Sequence, residues 1–125
     1  MKIIVSVFLF ISLLIPQSSF ASAEPQIKCT AEASEILSSG QLKSESKPLD
    51  TVDESKFYIS LSTDLQGKNF SLSGSKTDGI FYVSITDLPD HTSGSMTTAS
   101  FGSDSRVQIS IVNKNMIYKL ECFNR

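Results

Sequence analysis

The chain has 125 residues, 11 of them Lys or Arg and 13 Asp or Glu, for a formal net charge of −2. That length is one domain's worth of chain on ordinary size grounds. No run of Lys or Arg offers the basic footprint that a nucleic acid or an anionic membrane surface requires.

The first element in chain order is an export signal. Met1-Lys2 is a short basic start, Ile3 to Ile15 is an apolar run broken only by Ser6 and Ser12, and Ala21-Ser22-Ala23 has the small-x-small form that a signal peptidase cuts. A helix of that apolar run, at about 1.5 Å per residue, reaches roughly 20 Å, short of the ~30 Å hydrocarbon core of a bilayer. The expectation is a signal peptide over 1–23, cleaved after Ala23, followed by a single β domain over 24–125. No second apolar run of spanning length follows, and neither cysteine lies just before the cut, so no lipid anchor is expected. The address is the periplasm or the extracellular medium.

From Ile27 to Ala33 the residues alternate, with Ile27, Cys29, Ala31 and Ala33 on one side and Lys28, Thr30 and Glu32 on the other. Period-two alternation marks a half-buried strand. The pattern lapses from Ser34 to Ser55, which holds Ser38-Ser39-Gly40, a Lys/Glu/Ser run, Pro48 and the acidic residues Asp50, Asp53 and Glu54. This reads as a long polar loop over 34–55, with a short helix near Ser34–Leu37 as a lesser possibility.

Beyond it, strands and turns follow one another steadily. Phe57, Ile59 and Leu61 share a face, Gly67 turns the chain towards Phe70 and Leu72, and Asp78-Gly79 is a hairpin signal. Phe81, Val83 and Ile85 form the next apolar face, and Leu88-Pro89-Asp90 ends that strand. A Thr-rich strand over Ser95–Phe101 comes next. The chain then runs through Arg106–Val112, turns at Asn113-Lys114-Asn115 and ends in Met116–Phe123. Seven strands at spacings near ten residues predict an all-β fold, a small antiparallel β-sandwich or a closed β-barrel of meander-like order.

Cys29 and Cys122 are the only cysteines. In an oxidising compartment an even count reads as a disulfide, and here the pairing has one solution. Both lie on apolar strand faces, so the bridge requires the two terminal strands to be neighbours or to face each other across the core. Free or metal-binding thiols are the rival reading, but no His or third Cys lies near either one.

The candidate chemistry is thin. His91 is the only histidine and sits in Asp87-Leu88-Pro89-Asp90-His91-Thr92-Ser93-Gly94. Asp, His and Ser together suggest a nucleophile with its base, and Asp87, Asp90 and His91 are the weak candidates for a metal site, without any spacing typical of zinc. Asp, Pro, Ser and Gly are also the usual turn formers, and a turn is the preferred reading. The cluster Asp50, Asp53 and Glu54 lacks the alternation and turn glycine of a calcium loop. Asn69-Phe70-Ser71 is formally a glycosylation acceptor but falls inside a strand, and Gly74-Ser75-Lys76-Thr77 lacks the upstream glycine of a phosphate-binding loop. Tyr58 and Tyr82 point away from the apolar faces and mark a possible contact surface. Downstream of Ala23 the chain holds 18 Ser and eight Thr, most at outward strand positions, which gives a hydroxyl-rich surface.

A near-terminal cysteine pair on a small exported β domain is similar to the periplasmic lysozyme inhibitors of Gram-negative bacteria. Their Ser-Gly-x-x-Tyr loop has no counterpart here, since Ser73-Gly74-Ser75-Lys76-Thr77 and Ser93-Gly94-Ser95-Met96-Thr97 both lack the tyrosine. The likeness is architectural and carries over no residue. The leading expectation is an exported, non-enzymatic binding or interaction module with no cofactor, whose partner is a protein or envelope component, not a nucleic acid. An inhibitor of a hydrolase such as lysozyme, a metal or enzyme site on the Asp87–Gly94 loop, and a small apolar-ligand carrier are the alternatives.

Overall fold

A computed structural model describes residues 26–125. The expected leader and its cut site lie outside the described residues. Among those described there are nine strands and no helix: β1 (Ile27–Ile36), β2 (Leu42–Pro48), β3 (Asp50–Glu54), β4 (Tyr58–Leu65), β5 (Lys68–Ser75), β6 (Ile80–Asp87), β7 (Gly94–Ala99), β8 (Arg106–Asn113) and β9 (Met116–Asn124). They form two antiparallel sheets, one of four strands in the order β2-β1-β9-β8 and one of five in the order β3-β4-β5-β6-β7.

The closed-barrel expectation is overturned. Each sheet keeps two free edges, β2 and β8 in one and β3 and β7 in the other, and no ladder joins the sheets into a ring. Meander order holds for the run from β3 to β7, but the four-stranded sheet brings the first and last strands together at its centre. The chain passes between layers twice, at Leu49, whose N–H donates to Cys29 O at 2.9 Å, and through residues 100–105. Phe101, in the second crossing, meets Phe81 edge to face with ring centres 5.4 Å apart.

One core lies between the sheets, in keeping with the sandwich branch of the expectation. Ala31, Ala33, Val107, Tyr118 and Leu120 enter it from the four-stranded sheet, and Ile59, Leu61, Leu65, Phe70, Leu72, Phe81, Val83 and Ile85 from the five-stranded one. These are the alternate positions of their strands, as a two-faced sheet demands. Phe57 is the exception. It was expected on the face of Ile59 and Leu61 but precedes β4, is exposed, and lies under the Lys56 ammonium, 5.8 Å from the ring centre.

The expected loop over 34–55 is not a loop, nor does it hold a helix. Ser34 to Ile36 complete β1, a turn with Gly40 at φ 85° follows, and β2 returns along β1 before β3 joins the other sheet. Every β2 residue is exposed, so the strand has no apolar period to betray it. Its alternation is one of charge, Lys43, Glu45 and Lys47 against Ser44 and Ser46, and Lys43 faces Glu35 across the ladder. Backbone pairing holds it, with Ser34 Oγ and Ser44 Oγ 2.7 Å apart.

The cysteines form the expected disulfide, and it joins neighbours: Cys29 and Cys122 are direct partners in the β1–β9 ladder, Cα atoms 4.0 Å apart. Both are buried. A formed disulfide is compatible with an oxidising compartment. Among the described residues no helix is long and apolar enough to cross a membrane.

Candidate functional site

The Asp87–Gly94 segment is a tight turn whose polar groups are satisfied locally. Asp87 N donates to Ser93 O at 2.7 Å and His91 N to Asp87 O at 2.8 Å, and the Leu88–Pro89 peptide is cis. Asp90 Oδ1 accepts from the Thr92 hydroxyl at 3.0 Å, and His91 Nδ1 pairs with Thr86 Oγ1 at 2.9 Å. The Asp87 carboxylate instead reaches back to β5 and binds Lys68. So Asp87, Asp90 and His91 each have a different partner, and among the described residues no three His, Cys, Asp or Glu side chains gather as a metal would need.

Lys68 is the more constrained member of that pair. Its ammonium is held between Asp87 and the face of Tyr118, 4.9 Å from the ring centre. The Lys68 hydrogen bond and charge hold the Asp87 carboxyl below its ordinary value of 3.8, against partial burial, which works the other way; a hydrogen bond from Ser93 adds to the lowering.

A cleft of about 500 Å³ opens between the layers at the end where Gln26 and Asn124 lie, with Ile27, Ile59, Phe81 and Phe101 in its wall. Its rim is already paired, since Lys76 Nζ bonds Glu54 Oε2 at 2.6 Å and Ser55 O at 2.9 Å. Deeper in, Phe70, Leu72, Val83, Ile85 and Leu120 occupy the space an enclosed apolar ligand would need.

The two outer sheet faces differ in chemistry, although the four-stranded one also exposes apolar side chains, Leu42 and Val112, towards one end. On the four-stranded sheet, ladder neighbours are charged and tied to one another: Lys119 to Glu32 at 3.6 Å and Arg106 to Glu121 at 2.7 Å, while Arg125 covers the Phe123 ring at 4.3 Å. On the five-stranded sheet the register sets small hydroxyls side by side. Ser60, Ser73, Tyr82 and Thr98 form one row across β4 to β7, and Ser62, Ser71, Ser84 and Met96 the next. Ser71 Oγ and Ser84 Oγ are 2.6 Å apart, and Asn69 donates to Ser62 and Asp64 at 2.8 Å each.

Across this low surface runs a string of large exposed side chains. Tyr58 and Ile80 flank Ser75 in one row, Tyr82 follows Ile80 two residues on, and Met96 lies diagonally from Tyr82 on β7. Tyr58 is 42% exposed, Ile80 54%, Tyr82 55% and Met96 66%, and no ion pair crosses them. The structure thus places both sequence-predicted tyrosines on one face. Ile80 and Met96 were missed. Ile80 directly follows a turn and Met96 lies in a Thr-rich segment, but each occupies the outward parity of its strand, the one available signal.

No family model matches the chain, and neither does any curated protein or solved structure.

Proposed function

We propose that this is an exported, non-enzymatic binding module, a two-sheet sandwich that engages another protein or an envelope component through the outer face of its five-stranded sheet. The contrast between the two outer faces carries the reading. One spends its charges on internal ion pairs; the other presents Tyr58, Ile80, Tyr82 and Met96 on a flat bed of serines. Tyr and Met are enriched at protein interfaces, where they give large contact area, and Tyr is a frequent anchor residue. A sheet face is also held by ladders on both sides of β4, β5 and β6, so little order is lost on contact.

Export supports an oxidised Cys29–Cys122 pair, and the formed bridge in turn fits an exported address. The polar segment 34–55 supplies the edge strands β2 and β3 and not a projecting loop, which favours the sheet face as the contact surface. The test compares the oxidised protein with Tyr58→Ser/Tyr82→Ser, both immobilised and challenged with envelope extract. The expected result is a component retained by the native protein and lost by the variant, with identical circular dichroism and melting. Equal retention by both proteins would remove this face from consideration.

A further inference from the structure

We infer that β7 is a self-association edge, to which a second copy of this chain adds its own β7 in antiparallel pairing, joining two five-stranded sheets into one. The hydrogen-bond phase is set at the turn, where Asp87 N donates to Ser93 O. Alternation along an antiparallel ladder then turns the backbone groups of Ser95, Thr97 and Ala99 towards β6, and those of Gly94, Met96 and Thr98 away from it. β7 is the last strand of its sheet, so these outward amides and carbonyls meet no strand. Thr98 O accepts only a hydroxyl, that of Thr97 at 3.3 Å.

β7 is open on its faces as well. All its residues but Ala99 are exposed, since β8 packs against β6 and β7 projects past it. Of the other free edges, β2 and β3 are guarded along their length. β2 carries Lys43, Glu45 and Lys47 and ends in Pro48, and β3 carries Asp50, Asp53 and Glu54 with a register break between Thr51 and Asp53. Charges, proline and bulges on an edge are what discourage strand addition. β8 is charged only at its ends, at Arg106 and the following Lys114, but it differs from β7 in that its alternate residues Val107, Ile109 and Ile111 pack against the core. From Ser93 to Ser103 there is no charged residue.

Charge and symmetry together point to a second copy as the occupant. An uncharged edge offers nothing to a charged partner strand, whereas an identical strand brings no charge either. With the two-fold axis at Thr97, Met96 and the partner's Thr98 exchange backbone hydrogen bonds, and Thr97 stands opposite the partner's Thr97. Thr–Thr pairs across strands are favourable, and no like charges meet. This inference rests on the edge, not on the contact-face reading.

Sedimentation of the purified, oxidised protein over a concentration series tests it. A monomer–dimer equilibrium is expected, and it is lost in Thr97→Lys, which sets two ammonium groups opposite each other. Thr98→Pro removes only an outward amide and has the same expected effect should Thr97→Lys disturb folding. Thr97→Cys is expected to oxidise to a covalent dimer, because such non-hydrogen-bonded pairs place Cα atoms about 4.5 Å apart, within disulfide reach. Tyr58→Ser/Tyr82→Ser keeps the dimer, so failure here and failure of the contact face are told apart. A wild-type protein monomeric throughout, or a dimer that survives both β7 variants, overturns the inference.

Discussion

Cys29 and Cys122 stand directly opposite each other in the β1–β9 ladder although 93 residues separate them in the chain. Ladder partners on either side, Ile27 with Asn124 and Ala31 with Leu120, hold the same two strands together without the bond. The bridge therefore acts chiefly on the unfolded chain, whose loop it closes. Reduction, or Cys29→Ala/Cys122→Ala, is expected to leave the β spectrum intact in buffer while lowering stability by about 4–5 kcal/mol. Denaturant unfolding of oxidised and reduced protein measures the difference.

Gly74 faces Phe81 across the β5–β6 ladder, and its place in the core is one only hydrogen can fill. A Cβ there would lie 2.4 Å from the Ile80 carbonyl oxygen and 2.9 Å from the Phe81 Cα, both backbone atoms. Gly74→Ala is expected to cost about 1–3 kcal/mol, the usual range for overpacking. The same change at Gly40, where no atom lies within 4 Å of the added carbon, meets only the backbone strain of a positive φ. Thermal melts of the two variants are expected to separate packing from backbone strain.

Asp87 supplies a pH dependence. Because Lys68 holds its folded pKa below 3.8, the folded state keeps this carboxylate charged where the unfolded chain has begun to protonate it. The resulting stability is present in full above the unfolded value and is lost as pH falls through the depressed folded one. In melts against pH, Asp87→Asn is expected to be less stable than wild type at neutral pH. The gap is expected to narrow below pH 3.8. A gap that persists unchanged into acid would show that Lys68 and Asp87 are not coupled through charge.

Ser73 lies at the middle of the hydroxyl bed, between Ser60 and Tyr82. Ser73→Arg raises a bulky charge from a flat face without touching the core. The variant is expected to fold with stability within about 0.5 kcal/mol of wild type and to lose whatever component the native protein retains from envelope extract.

Much of this was legible from period-two patterning wherever one strand face is apolar. β1, β4, β6, β8 and β9 all announce themselves through residues such as Ala31, Leu61, Val83, Val107 and Leu120, which the structure buries. β2 and β3 did not, because strands exposed on both faces carry no hydropathy signal; ladder pairing and a few polar side-chain contacts such as Ser34–Ser44 and Lys76–Glu54 hold them. Barrel closure was equally hidden: whether β7 and β8 hydrogen-bond depends on how far the five-stranded sheet projects past its neighbour, which no single residue records. On the candidate face the parity of Tyr58 and Tyr82 was readable. Their proximity to Ile80 and Met96 follows from ladder register, fixed here by turns such as Gln66-Gly67, where both residues take positive φ (53° and 74°).

Site-specific photo-crosslinking in the native compartment tests the contact face most directly. A photoreactive residue replaces Tyr82, 55% exposed on the five-stranded sheet, or Val112, 68% exposed on the four-stranded one. The expected result is a discrete heterologous adduct from position 82 and none from position 112. Adducts from position 112 alone, or the same products from both, would contradict the assignment of this face.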